Sequence, residues 1–179
     1  MNTQRNTRGS RLLIPMLVGA LALIAVEALR SRAFGENVIR QAQPAPSFVL
    51  KEPHSKAITL TDFKNKALIV GFFATWDAPS RKQMGILNDM VGQYGETNLA
   101  VLALALDQTS PDSLKTYAQQ QHLRYELHAA DYDVIQSFGG LTSIPMMLVI
   151  DKNQNVIDKF IGVTETNVLD ADVRAILKQ

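Results

Sequence analysis

Apolar residues run without interruption at Leu12 to Val26, Ala67 to Phe73, Leu99 to Leu106 and Met146 to Ile150. The first run differs from the others in length. Counted on to Leu29, a helix rising about 1.5 Å per residue reaches roughly 27 Å, close to a hydrocarbon core of about 30 Å. The other three are strand-sized and bounded by polar segments, a pattern that fits central strands covered on both faces. Between the second and third runs, Met84, Leu87, Val91 and Tyr94 step by three or four with Ile86 and Met90 alongside, which predicts an amphipathic helix and completes a right-handed βαβ unit.

The remaining elements follow from shorter signals. Phe48 to Leu50 and Ala57 to Leu60 predict an edge hairpin joined by Lys51 to Lys56, with Pro53 in the connection. Ser110-Pro111-Asp112 opens a helix to about Gln121, with serine to cap, proline in the first turn and an acid near the positive end. Tyr125 to Leu127 reads as a short strand, and Tyr132 to Phe138 as a short helix stopped by Gly139-Gly140. The turn-rich joint Asp151 to Asn155 links Met146 to Ile150 with a strand over Val156 to Ile161. Thr164 is expected to cap a last helix whose Val168, Leu169, Val173, Ile176 and Leu177 form one face.

Charge divides the chain in two. Through Ala33 there are five arginines and one glutamate, so the overall +1 hides a remainder of about −3. Arg5, Arg8 and Arg11 precede the long apolar run, which predicts a cytoplasmic basic tail over residues 1–11 and an uncleaved signal anchor over 12–29. A cleaved signal peptide is the alternative. Its small-residue site, Ser31-Arg32-Ala33, lies beyond the apolar run and is flanked by arginine. Residues 30–46, ending in Gln43-Pro44-Ala45-Pro46, read as an extended linker, and 47–179 as one folded domain. The expected location is a bacterial inner membrane, single-pass, with the domain facing the periplasm or cell exterior. Basic residues in the domain are scattered, which argues against a nucleic-acid surface. The chain has no cysteine, so disulfides, thiolate nucleophiles and cysteine metal sites are excluded. His54, His122 and His128 lack metal-ligand spacing, and no cofactor is expected.

Candidate chemistry centres on Phe72-Phe73-Ala74-Thr75-Trp76-Asp77-Ala78-Pro79-Ser80-Arg81-Lys82-Gln83-Met84. This stretch resembles the F-x-A-T-W-C-x-P-C-R-x-E-M active-site turn of the TlpA/ResA/DsbE-type thiol-disulfide oxidoreductases, with Asp77 and Ser80 where the two thiols would stand. A second stretch, Phe138 to Asp151, resembles that family's Y-G-V-x-G-x-P-T-T-F-L-I-D segment. The resemblance implies an α/β thioredoxin-like fold, a mixed central sheet flanked by helices with an N-terminal hairpin, and a cis bond at Ile144-Pro145 opposite the active-site turn. The order of elements read above agrees with that architecture. Departures from the pattern include Gly85, where the family often has proline, and Gly71, where thioredoxins keep a buried acid. Met146 and Met147 stand where threonines are preferred, as core filler or as flexible contacts beside a cleft.

A carboxylate forms no mixed disulfide, and a serine hydroxyl without a base is a poor nucleophile. Asp77 is better suited to capping the helix that follows it, by charge and by accepting N–H bonds. The expected function is therefore a redox-inactive, membrane-anchored domain that binds or chaperones an extended segment of an exported or periplasmic protein. Its cleft would be formed by Trp76, Asp77, Pro79, Ser80, Ile144, Pro145 and Met146. Two other readings remain. One is a component of cytochrome c maturation or periplasmic redox control, acting only with a cysteine-bearing partner. The other is a structural subunit of an envelope complex.

Overall fold

The computed structural model describes residues 42–51 and 56–178. The basic tail, the anchor over 12–29, His54 and the Pro53 connection fall outside the described residues. Among the described residues no helix is long and apolar enough to cross a membrane.

The three strand-sized apolar runs form the middle of the sheet. Strand β4 (Ala67–Phe73) is buried at all seven positions, and β5 (Leu99–Ala105) pairs parallel with it in the register Ala67↔Leu99 to Phe73↔Ala105. Strand β7 (Met146–Ile150) lies antiparallel on the other side of β4, and β8 (Asn155–Ile161) antiparallel against β7. With β1 (Gln43–Pro44) and β6 (Leu127–Ala129) at its edges, the six-stranded sheet has the order β1-β8-β7-β4-β5-β6 and is mixed. Strand β6 (Leu127–Ala129) begins two residues later than expected. The Tyr125 hydroxyl donates to the Met84 carbonyl at 2.8 Å, and this holds the preceding residues toward the helix side and delays pairing.

Strand β1 (Gln43–Pro44) pairs antiparallel with Asn155 and Val156. Gln43 and Pro44 were expected in the linker over 30–46, and their pairing carries the folded unit ahead of Ser47. Proline is tolerated there because an edge strand can spare an N–H. Val49–Leu50 (β2) and Ile58–Thr59 (β3) pair antiparallel as a sheet of their own rather than on the edge of the large one. A 3-10 turn at Leu60–Phe63 follows, boxed by Thr59 and Asp62.

Alternation along each strand sends residues to two cores. Helices α1 (Ala78–Tyr94), α2 (Pro111–Gln120) and α4 (Thr166–Leu177) bury Met84, Leu87, Leu114, Leu169 and Val173 against Ile69, Phe73 and Val149 on one face. Helix α3 (Tyr132–Ser137) and the small sheet cover the other, where Phe138 meets Phe48 and Phe72 at ring-centroid distances of 5.7 and 5.9 Å. Gly139 and Gly140, at φ 87° and 77°, end α3 in the left-handed conformation that glycine adopts without penalty. Helix α1 runs unbroken through Gly85. Thr164 does not cap α4. The N-cap is Glu165, and the Thr164 N–H donates instead to Gln83 Oε1 at 2.7 Å, which ties the start of α4 to α1.

Candidate functional site at the carboxyl ends of the parallel strands

Strand β4 ends at Phe73, and the chain turns through Ala74-Thr75-Trp76 into α1. The turn is held at several points. Asp77 N–H donates to the Ala74 carbonyl at 3.2 Å, and Leu106 N–H to the Phe73 carbonyl at 2.8 Å. Asp107, immediately beyond β5, receives both the Thr75 N–H, at 3.0 Å on Oδ2, and the Thr75 hydroxyl on Oδ1. Arg81 Nη1 closes the far side by donating to the Thr75 carbonyl at 3.0 Å. Asp107 was not singled out in the sequence. The available signal was an acid closing an apolar strand that runs parallel to the one feeding the turn.

Asp77 is the N-cap of α1, with extended backbone (φ −85°, ψ 124°), and its Oδ2 accepts the Ser80 N–H at 2.8 Å. The expected capping role is thus realised, with Pro79 in the first turn where its missing N–H costs nothing. Ser80 points inward and is fully buried, whereas Pro79 is exposed and Asp77 half-exposed. Trp76 stands out from the turn with 69% of its surface exposed. At Gly71 a β-carbon would meet the Phe73 ring at 2.3 Å, so the position where the resembled thioredoxins keep an acid is overlaid by an aromatic ring.

The Ile144-Pro145 peptide is cis. Pro145 is buried, and its carbonyl accepts the Gly162 N–H at 2.7 Å, which fixes the start of β7 against the end of β8. Phe72 lies opposite Met146 in the register, so Pro145 and the Trp76 turn share one end of the sheet. The backbone of Leu141 to Ile144, leading into the proline, makes no hydrogen bond to any described residue. Ile144 is half-buried at this end. Met146, expected among the cleft contacts, is fully buried and packs in the core with Phe72 and Leu148; Met147 is equally buried on the opposite face. Both methionines fill core volume.

Beside the turn, burial raises the Tyr117 phenol above its ordinary value; the Arg81 guanidinium opposes the shift and the Asp107 carboxylate adds to it. No group of three or more histidines and carboxylates among the described residues could hold a metal ion. His122 is exposed at φ 52°, and His128 is buried with Nε2 4.0 Å from Glu126.

Residues 42–159 match the model of the AhpC/TSA family. The thiol-disulfide oxidoreductase ResA of Bacillus thuringiensis is 30% identical over 129 residues, 71% of this chain and 73% of the relative. ResA of Bacillus cereus is 28% identical over 153 residues, covering 84% of this chain and 85% of the relative. Among solved structures, a thiol:disulfide interchange protein of the thioredoxin family from Chlorobium tepidum superposes with a TM-score of 0.67 at 28% identity. It covers 78% of this chain and 99% of that one. The capped turn, the cis-proline segment and these likenesses agree: the chain belongs to the AhpC/TSA family of thioredoxin-like proteins, as a ResA-like member that has no cysteine.

Proposed function

We propose that this protein is a redox-inactive thioredoxin-like domain that holds an extended segment of an exported protein at the cleft between Trp76 and Pro145. The observation carrying this reading is the pairing of a protruding indole with unpaired backbone: Trp76 is largely exposed, and Leu141 to Ile144 offers N–H and C=O groups that no described residue uses. An extended chain laid beside Ile144 would satisfy those groups as an added strand does, with Trp76 and Ile144 supplying apolar contact. Ser80 and Met146 support the cleft from beneath, since both are fully buried. Anchoring by residues 12–29 in a bacterial inner membrane, with the domain outside the cytoplasm, belongs to the same proposal and rests on the charge and apolar pattern of the N-terminal sequence.

A photo-crosslinker introduced at position 76 in cells should trap a protein partner, and Trp76→Ala should lose that partner in a pull-down without moving the thermal transition. The full chain should show no turnover in an insulin-reduction assay, because exchange requires a thiolate. Crosslinking at equal yield from position 152, at the other end of the sheet, would remove the cleft from the account, and insulin turnover above background would remove the redox-inactive reading.

A second reading draws on the relatives' names. Thiol-disulfide oxidoreductases are the proteins this chain is similar to, so its partner could be one that carries the cysteines, with this domain presenting the substrate to it. A cysteine-bearing oxidoreductase as the species trapped from position 76 would favour that form of the proposal.

A further inference from the structure

We infer that the segment accepted at this cleft is cationic, an extended stretch of about five residues carrying lysine or arginine beside an apolar side chain; the inference rests on the cleft reading above and specifies its partner. Strand register decides which exposed groups share this end of the sheet. Phe73 pairs with Ala105, Ala105 with Ala129, and Met146 with Ile161, so the segments leaving β4, β5, β6 and β8 and entering β7 all emerge together. Among the large apolar residues, Trp76, Tyr132 (71% exposed) and Ile161 (41% exposed) stand out at this end.

The charges here are one-sided. Among the described residues in the turns and first helical residues of this end, Asp77, Asp107, Asp131 and Asp133 stand against Arg81, while Lys82 and Glu165 offset each other at 3.4 Å. Three of these carboxylates are held in place as caps and turn pins: Asp77 on Ser80 N–H, Asp131 on Asp133 N–H at 2.8 Å, and Asp107 on Thr75. Arg81 is occupied with the Thr75 carbonyl. A partner's cation therefore meets an acidic field, and it also meets the faces of two exposed aromatic rings, which attract ammonium and guanidinium groups. An acidic segment would meet like charge on the same path.

Geometry sets the footprint. From Ile144, ahead of β7, across β4 and β5 to Tyr132, beyond β6, is three inter-strand spacings of about 4.8 Å each. That is roughly 14 Å, the length of four to five extended residues. A segment of that length can pair with the free backbone at Ile144 and reach both aromatic rings.

Trp76 is the only tryptophan in the chain, so its fluorescence reports on this site alone. The full chain in a non-ionic detergent would be titrated with two nonapeptides of identical apolar residues, one with lysines and one with glutamates at the same positions. The lysine peptide should shift Trp76 emission and bind about ten-fold more tightly than the glutamate peptide at low ionic strength, and 0.5 M salt should erase most of that difference. Asp131→Asn with Asp133→Asn, which keeps the capping amide oxygen, should weaken the lysine peptide several-fold with the thermal midpoint unchanged. Equal or tighter binding of the glutamate peptide overturns the cationic assignment while leaving the cleft reading in place. No change in Trp76 emission with either peptide overturns both.

Discussion

Asp77 stands where the resembled active-site turn carries its first thiol, and what it does in this chain is ordinary helix chemistry. Its carboxylate accepts one of the unpaired N–H groups at the start of α1 and lies at the positive end of the helix dipole. Asp77→Ala is expected to lower stability by about 0.5–2 kcal/mol and Asp77→Asn by a few tenths, read as shifts of the denaturant midpoint. Equal losses for the two variants would mean that charge, not the accepted hydrogen bond, is what matters at this position. No loss in either would assign Asp77 to the partner rather than to the helix.

At the scale of elements, the contact of α4 with β8 carries a pair of carboxylates on the helix-covered face. Burial, and then the Asp158 charge on β8, raise the Asp172 carboxyl on α4 to about 6; burial raises Asp158 as well. A carboxyl raised in the folded state favours folding only while it is protonated. Its contribution is full below about pH 4, where the unfolded chain is protonated too, and is lost as pH rises through about 6. Asp172→Asn should therefore be more stable than the parent at pH 7, by about 1 kcal/mol once partial solvent exposure is allowed for, and should flatten the fall between pH 4 and 6. Melting curves at pH 4.5, 5.5 and 7 measure both effects, and an unchanged slope in the variant would place the pH dependence elsewhere.

Elements with strong side-chain signatures were the ones legible in the sequence. The runs Ala67 to Phe73 and Leu99 to Leu106 could only be satisfied by strands buried on both faces, and Ser110-Pro111-Asp112 announced a helix by its capping chemistry. Pairing of Gln43 and Pro44 with β8 left no such trace, because a two-residue edge ladder is made by backbone groups that every sequence shares. Asp107 holds the Trp76 turn from 32 residues away, a contact that only the parallel register of β4 and β5 creates. Met146 followed the cis-proline closely enough to be read as lining the cleft, yet strand alternation turned it into the core.

For the whole molecule, Ser80 is the second position at which the resembled turn carries a thiol, and it tests whether the scaffold supports that chemistry. Its side chain is enclosed one turn beyond Asp77, on a helix start that the capped turn and Asp107 hold in place. Asp77→Cys combined with Ser80→Cys should fold, form an intramolecular disulfide under oxidising conditions and reduce insulin when supplied with a reductant. A folded double variant whose thiols both remain titratable after oxidation would show that the turn differs from the geometry described here. The oxidised variant would also remove the Asp77 cap, so its stability is properly compared with Asp77→Ala.

Strand β1 enters beside Asn155 and Val156, at the start of β8, whereas Ile161 at the other end of β8 stands by the cleft. Ile161 is six residues on from Asn155, about 20 Å at about 3.3 Å per residue. On the proposed reading the sheet is a rigid standoff: a segment held at Trp76 would lie a fixed distance from the edge where Gln43 and Pro44 join β8.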